Sequence, residues 1–259
     1  MQIKILGCSG GIGGHLRTTS MLVDDDILID AGTGVGDLSM DELMKIDHIL
    51  ITHSHLDHIG FIPLLIDTVM GFRLEPITVH ATKETLKTLR DHIFNWKVWP
   101  DFNTIPNATQ PFLLYNEIEL GKTLNIIERK FTPVPANHVV PAVGYHVEGN
   151  EHSLIFTGDT TVCEALWFEV NKINNLKYLV IETAFSNSEY ELARLSKHLC
   201  PSMLLSELGK LNSVIHQMPI EIFITHLKPG EGETIMQEIA DCKLEYSIQA
   251  LENGKIFYL

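Results

Sequence analysis

The chain has 259 residues, of which 45% are hydrophobic, so it suits one large domain or two small ones with a substantial core. Its 19 basic and 33 acidic residues give a formal net charge of −14, which argues against binding of long nucleic acid through a broad basic surface. The four cysteines form no CxxC pair, no apolar run reaches the ~18 residues of a membrane span, and no secretory signal is recognisable, so we expect a cytoplasmic protein with reduced thiols.

Short strands dominate the first third of the predicted structure. Apolar runs predict strands at residues 2–6, 20–23, 27–30, 46–52 and 77–80. Helical spacing of apolar residues predicts helices at residues 36–44, 59–70 and 83–94. The glycine run at 10–14 lacks the GK[ST] of a phosphate loop, so we expect a tight turn or, as the alternative, a close approach to a metal site.

The rest of the chain is predicted to contain further strands, further helices and one irregular segment. Strands are predicted at residues 123–130, 142–147, 153–157, 178–182, 220–225 and 256–259. Helices are predicted at residues 189–199, 202–218 and 232–242. Residues 95–111 carry two tryptophans without clear periodicity, which is typical of an ordered functional loop or lid.

Four side chains that can bind metal ions occur within six residues after the predicted strand at 46–52. They are His53, His55, Asp57 and His58. Zinc binds imidazole nitrogen and carboxylate oxygen at ~2.0–2.2 Å, usually with four ligands. His53 and His55 can point the same way from an extended segment, and the turn that follows can direct Asp57 and His58 to a second point. The motif therefore predicts a two-metal site, and the alternative is a solvated loop with a chance cluster of histidines.

Other potential ligands also stand at the ends of predicted strands. Asp159, Glu182 and His226 lie at or directly after strand ends, and His138 lies in a turn between two strands. Functional side chains of layered α/β proteins collect on such loops. The candidate metal-binding set therefore has seven members: His53, His55, Asp57, His58, His138, Asp159 and His226.

The sequence resembles the metallo-β-lactamase superfamily. The resemblance is carried by the HSHLDH motif, a later single histidine, the FTGDT segment and the ITH segment. The resemblance implies one catalytic domain over residues 1–259, an αββα four-layer sandwich of two mixed sheets flanked by helices, with a two-metal site at one edge. It assigns one ion to His53, His55 and His138, and the other to Asp57, His58 and His226. Asp159 would bridge the two ions, near the position where β-lactamases of this fold generally carry a cysteine.

Segments in the second half narrow the resemblance. The chain looks like the class II cyclic-nucleotide phosphodiesterases over nearly its whole length. The segments that carry this resemblance are LVIETAFSN, ELARLSKHLCP and IFITHLKPGEGE in the second half and HIFNWKVWPDF at 92–102. Ser186-Asn187 departs from the Pro-Asn pair that is common there. The resemblance implies hydrolysis of cyclic AMP or cyclic GMP to the 5′-monophosphate by a hydroxide that two divalent ions activate. Zinc is the expected metal, manganese and iron also suit the ligands, and a homodimer is compatible with the family.

Three residues are assigned catalytic roles. Asp57 would orient the attacking hydroxide by accepting a hydrogen bond. His198, in the predicted helix at 189–199, would protonate the leaving 3′-oxygen, and Glu182 would orient His198 and raise its pKa. The alternative is a surface histidine and a carboxylate that caps a backbone segment.

Three further residues are candidates for contacts with a small cyclic-nucleotide substrate. Trp96 and Trp99 could stack on a purine, and Lys228 could meet a phosphate oxygen. The alternatives are packing for the two tryptophans and solvation for the lysine.

A tRNA 3′-end processing endonuclease is the nearest alternative function, because it shares the HxHxDH motif, the bridging aspartate and a Glu/His pair. It would be expected to carry a basic, glycine-rich arm, which the sequence does not show, and the charge of −14 also opposes it. The segments around Glu182 and His198 argue against a thioester or lactam hydrolase. A non-catalytic module would be expected to lack ligands, and all seven are present.

Overall fold

Two seven-stranded sheets form the centre of the computed structural model, which describes residues 1–212 and 219–259. The first sheet contains, in spatial order, β14 (Ile256–Tyr258), β1 (Gln2–Gly7), β2 (Ser20–Val23), β3 (Ile27–Ala31), β4 (His48–Leu50), β5 (Ile77–Ala81) and β6 (Leu113–Glu117). The second contains β13 (Ser247–Ala250), β12 (Glu221–Thr225), β11 (Leu176–Glu182), β10 (Ser153–Phe156), β9 (Val143–Glu148), β8 (Arg129–Pro135) and β7 (Leu124–Ile126).

Helices cover the outer face of each sheet. Those on the first sheet are α1 (Met40–Leu43), α2 (Leu56–Ile59), α3 (Ile62–Val69) and α4 (Lys83–Thr88). Those on the second are α5 (Glu164–Val170), α6 (Tyr190–Ser196), α7 (Pro201–Leu208) and α8 (Gly232–Asp241). Among the described residues, no helix is long and apolar enough to cross a membrane.

The side chains of each strand alternate between two hydrophobic cores. In β11, Leu179 and Ile181 pack under the helices, whereas Val180 faces the core between the sheets. Phe131 and Phe156 also lie in that inner core and are buried. Such alternation follows from the two-residue period of a strand. The layers are therefore helices, sheet, sheet and helices, which confirms the predicted αββα sandwich.

Several helices are shorter than their apolar spacing predicts. The helix predicted at 36–44 is a 3₁₀ turn, Thr33–Asp37, followed by α1. The helix predicted at 59–70 is divided into α2 and α3 around Gly60, where a Cβ would lie 2.6 Å from the Leu56 carbonyl oxygen. The helix predicted at 189–199 ends as α6 at Ser196, because Lys197 adopts a left-handed conformation.

Other differences concern strands and the segment near residue 210. The strand predicted at 123–130 is the hairpin β7–β8, which turns at Ile127 with a φ of 56°. The prediction missed this turn because isoleucine is not a turn-forming residue type. α7 ends at Leu208, and residues 213–218 of the helix predicted at 202–218 lie outside the described residues. α5, β6 and β13 were not predicted.

Strand direction brings several loops to one edge of the sandwich. β3 and β4 are parallel in the first sheet, and β10, β11 and β12 are parallel in the second. Residues after the ends of parallel strands share an edge. We call this edge, formed by the residues that follow β4, β8, β10 and β12, the ligand edge.

Hydrogen bonds tie the two sheets together beside the ligand edge. The Tyr145 hydroxyl of β9 donates to the Ile51 carbonyl at 3.0 Å, and the Val143 amide donates to the Thr52 carbonyl at 3.0 Å. Tyr145 and Ile51 are both fully buried. These bonds fix the segment between β4 and His53 against the second sheet.

Tyr145→Phe tests this contact between the sheets. The variant leaves the buried Ile51 carbonyl without its tyrosine donor, so the free energy of unfolding is expected to fall by about 1 kcal/mol. Urea denaturation in the presence of a chelator measures the change. Tyr258→Phe is the matched control, because the Tyr258 side chain is exposed on the edge strand β14. Equal stability of Tyr145→Phe and the unsubstituted protein would show that this hydrogen bond does not stabilise the contact between the two sheets.

Candidate metal centre

The structure brings all seven predicted metal-binding side chains together at the ligand edge. Ligand atoms of one group lie within 4.8 Å of one another and belong to His53, His55, His138 and Asp159. Ligand atoms of a second group lie within the same distance and belong to Asp57, His58, Asp159 and His226. Asp159 is shared by both groups. The two groups are the two sets that the resemblance implied.

Buried nitrogen atoms in this cluster lack hydrogen-bond partners within the described chain. They are His53 Nε2, His58 Nε2 and His226 Nδ1. They lie 3.8, 3.4 and 3.3 Å, respectively, from carboxylate oxygens of Asp159. Burial of an unpaired polar atom is costly, and a divalent cation would satisfy these lone pairs. Imidazole and carboxylate donors therefore make the cluster compatible with a divalent metal site.

Asp30 determines which nitrogen of two histidines faces the cluster. Its fully buried carboxylate lies 2.7 Å from His58 Nδ1 and accepts hydrogen bonds from the Thr52 amide and hydroxyl, both at 2.8 Å. The Thr52 hydroxyl in turn lies 3.0 Å from His53 Nδ1. Each ring can donate its Nδ1 proton to this network, which leaves Nε2 free for a metal.

Asp30 was not among the predicted site residues. It stands at position 30 in β3, and only its place after a run of buried apolar residues marks it in the sequence. Its φ of 57° is unusual for a residue other than glycine. The contact with His58 spans 28 residues, so local patterns do not reveal it.

His138 is oriented by the segment that follows α6. Its Nδ1 donates to the Lys197 carbonyl at 3.0 Å, so its Nε2 faces the first group, 3.2 Å from His55 Nδ1. Burial lowers the pKa of His138 to about 4. A neutral imidazole is the form that binds metals, so burial prepares this ring as a ligand.

Charge and burial act differently on the other rings. Burial holds the pKa of His53 well below its ordinary value, and it lowers that of His226 to about 3. Burial also opposes the charged form of His58, but the carboxylates of Asp159 and Asp30 outweigh it and hold the pKa of His58 well above its ordinary value. A positive charge is thus favoured at His58, and a metal cation would replace that proton.

Glu182 and His198 form a buried pair beside the cluster. His198 Nδ1 lies 2.8 Å from Glu182 Oε1, and the His198 ring stacks on that of His226 with 5.0 Å between centroids. Glu182 also accepts hydrogen bonds from the Thr160 amide at 3.0 Å and the Leu199 amide at 3.2 Å. Burial disfavours the charged imidazole, but Glu182 outweighs it and raises the pKa of His198.

The position of His198 corrects one prediction. His198 lies two residues beyond the end of α6 rather than within a helix, and it is 7% exposed rather than on the surface. The left-handed turn at Lys197 redirects the chain toward the cluster. The pairing with Glu182 was predicted, and the two side chains are in contact.

Lys228 and the glycine loop lie against His226. The Lys228 ammonium donates to the Gly10 carbonyl at 2.8 Å and lies 3.3 Å from His226 Nε2. A Cβ at Gly10 would lie 2.5 Å from the His226 carbonyl oxygen. Glycine is therefore required for this close approach, which favours the alternative role expected for the glycine run.

Trp96 and Trp99 lie away from the metal-binding side chains. The loop that carries them follows the π-helical turn Leu89–Ile93, and it continues to Phe112, whose carbonyl accepts a hydrogen bond from Ile77 at the start of β5. His53 follows the end of β4, which is parallel to β5. The tryptophans thus lie toward the edge of the sheet opposite the ligand edge, and their contact with substrate stays a prediction. Trp99 packs on the first helical layer, and Trp96 is 65% exposed.

Comparison with known proteins identifies the family. A family model for the beta-lactamase superfamily domain matches residues 25–238. The chain belongs to this superfamily. Its two mixed sheets flanked by helices are the metallo-β-lactamase fold.

Relatives within the superfamily differ in activity. A probable 3′,5′-cyclic-nucleotide phosphodiesterase of Yersinia pestis is 26% identical over 75% of this chain and 61% of its own length. Ribonuclease Z of Clostridium beijerinckii is 32% identical over 56% of this chain and 48% of its own length. The chain thus covers less than two thirds of each relative. The structure of unliganded yeast PDE1 shares the fold, with a TM-score of 0.81 and 20% identity over 100% of this chain and 99% of that one.

Asp30→Asn tests the hydrogen-bond network behind the histidines. An amide NH₂ toward His58 favours the tautomer whose proton is on Nε2, the nitrogen that faces the cluster. Zinc affinity, measured by competition with a chromogenic chelator, is expected to fall about 10- to 100-fold. Asp25→Asn, which alters an exposed carboxylate in the β2–β3 turn, is the control and should leave affinity unchanged. An affinity equal to that of the control would show that Asp30 does not orient the ligands.

Proposed function

We propose that this chain hydrolyses 3′,5′-cyclic nucleotides, cyclic AMP or cyclic GMP, to the 5′-monophosphate with two divalent metal ions. The contact between Glu182 and His198, held against His226, carries the proposal. An alkoxide leaving group needs a proton, and a histidine held by a buried carboxylate can supply it. Similarity to the Yersinia pestis phosphodiesterase supports the choice of a cyclic nucleotide as the substrate.

The two groups of side chains are the proposed ligands. One ion would be held by His53, His55 and His138, the other by Asp57, His58 and His226, and Asp159 would serve both. Two ions bound there would activate water for attack on phosphorus and stabilise the charge that develops on the phosphate. We propose zinc, and manganese or iron also suits imidazole and carboxylate ligands.

Asp57 is the proposed residue for orienting the attacking water. Its side chain is 28% exposed, whereas that of Asp159 is 3% exposed. An accessible carboxylate at the mouth of a buried cluster can accept a hydrogen bond from water that approaches from solvent. This exposure supports the proposal that the carboxylate of Asp57 directs the nucleophile.

His198 is the proposed general acid. Its Nδ1 is held by Glu182, so the proton available for transfer is on Nε2. The raised pKa keeps the ring protonated at a higher pH than that of an isolated histidine. Lys228 adds positive charge near His226 and is proposed to meet a phosphate oxygen.

An RNA 3′-end nuclease is the second candidate, because ribonuclease Z of Clostridium beijerinckii is 32% identical over about half of this chain. Phosphodiester cleavage there would use the same site. The net charge of −14 opposes RNA, whose binding depends on neutralising many phosphates. A cyclic nucleotide carries one negative charge and avoids this repulsion.

A substrate panel tests the proposed function. Zinc-loaded protein is incubated with cyclic AMP, cyclic GMP, a pre-tRNA and a chromogenic lactam, and the products are quantified. At least one cyclic nucleotide is expected to give its 5′-monophosphate, with activity lost on chelation and restored by zinc. Asp159→Ala, which removes the carboxylate shared by both groups, is expected to abolish turnover. Cleavage of pre-tRNA with both cyclic nucleotides left intact would instead favour the nuclease.

His198→Ala tests the general acid. Turnover of cyclic AMP is expected to fall about 10²- to 10⁴-fold, because the alkoxide would leave without a proton. Turnover of bis(p-nitrophenyl) phosphate, whose leaving group needs no proton, should fall much less. His92→Ala, at an exposed histidine in the π-helical turn, is the control. Equal losses on the two substrates would exclude proton donation by His198.

A further inference from the structure

Lys197 has a backbone conformation that is unfavourable for a lysine. Its φ of 54° and ψ of 49° lie in the left-handed region, at the end of α6. Glycine is the usual residue at such helix ends, because a Cβ crowds the backbone there. Hydrogen bonds of the Lys197 backbone amide and of its side chain can offset this cost.

The Lys197 ammonium makes two contacts with the turn that carries His138. Nζ donates to the His138 carbonyl at 3.0 Å and to Asn137 Oδ1 at 3.2 Å. The Lys197 carbonyl accepts the hydrogen bond from His138 Nδ1 at 3.0 Å. The same lysine therefore holds both the backbone and the ring of His138.

The turn also connects back to His198 through a second set of hydrogen bonds. The Asn137 amide donates to Thr160 Oγ1 at 2.9 Å, and the Thr160 amide donates to Glu182 Oε1 at 3.0 Å. The same Glu182 oxygen lies 2.8 Å from His198 Nδ1. Because His198 directly follows Lys197, these hydrogen bonds and the backbone together form a closed ring of contacts that includes His138 and His198.

We propose that Lys197 is a positioning residue that holds His138 and His198 as one unit. The inference rests on the proposed function, in which His138 binds a metal and His198 donates a proton. Removing the side chain would take away two of the hydrogen bonds that hold this turn, those at Asn137 Oδ1 and the His138 carbonyl, and would alter the angle at which His138 faces its metal. Replacing the residues that hydrogen-bond to metal-binding histidines typically lowers metal affinity 10- to 100-fold. Lys197 would therefore affect zinc binding without offering a ligand itself.

Two substitutions separate positioning from folding. Lys197→Gly retains the carbonyl acceptor and relieves the left-handed strain, and Lys197→Met removes only the ammonium. Zinc affinity, measured by competition with a chromogenic chelator, is expected to fall about 10-fold or more in both variants. The urea midpoint of the chelator-treated Lys197→Gly protein is expected to equal or exceed that of the unsubstituted protein.

The chain offers a matched control for both substitutions. Lys243 is also left-handed, with a φ of 49°, and it is exposed just beyond the end of α8. Lys243→Gly and Lys243→Met repeat the same chemical changes away from His138. Both control variants are expected to keep the zinc affinity of the unsubstituted protein.

A second readout addresses His198. The ratio of kcat for cyclic AMP to kcat for bis(p-nitrophenyl) phosphate is expected to fall in both Lys197 variants, because a displaced His198 affects only the substrate that needs a proton. Unchanged zinc affinity or an unchanged ratio would overturn the proposal. A lower urea midpoint in Lys197→Gly would also overturn it, since the lysine would then serve fold stability.

These outcomes are distinct from a failure of the proposed function. If the unsubstituted protein binds zinc but leaves cyclic nucleotides intact, the phosphodiesterase proposal fails. The zinc affinities of the Lys197 variants would then still decide whether Lys197 positions His138.

Discussion

The candidate metal centre depends on the buried carboxylate of Asp30. A buried carboxylate is tolerated only when its oxygens are paired, and here Thr52 and His58 supply the partners. Those bonds determine which nitrogens of His53 and His58 carry protons, and thus which lone pairs face Asp159. The pairing of β3 with β4 brings Asp30 beside Thr52, so the geometry of the site is a direct consequence of sheet register.

The local part of this arrangement could be predicted from the sequence. HSHLDH follows an apolar run, and the segments with Asp159 and His226 each follow another, so strand ends alone mark most candidate ligands. The strands predicted at 20–23 and 27–30 are likewise observed, and they pair as β2 and β3. These features involve residues close in sequence, where spacing translates directly into geometry.

The remaining features depend on contacts between distant residues or on single backbone angles. Asp30 meets His58 across 28 positions, and no periodicity encodes that contact. The end of α6 depends on a left-handed lysine, a conformation that the residue type disfavours. Trp96 and Trp99 were expected near the substrate because of their residue type, but the return of the chain through α4 places them at the opposite edge. The position of this loop follows from the topology of the sheet and not from the local sequence.

The net charge of the chain and the charge at the ligand edge bear on the size of the proposed substrate. The chain carries a formal charge of −14, yet the ligand edge gathers imidazoles around Asp159, with Lys228 beside them. Two divalent ions would make this edge a local region of positive charge on an acidic protein. A long polyanion would be repelled by the net negative charge of the chain, whereas a cyclic nucleotide carries one negative charge. The negative net charge and a cationic centre together support the proposed small, singly charged phosphodiester over RNA.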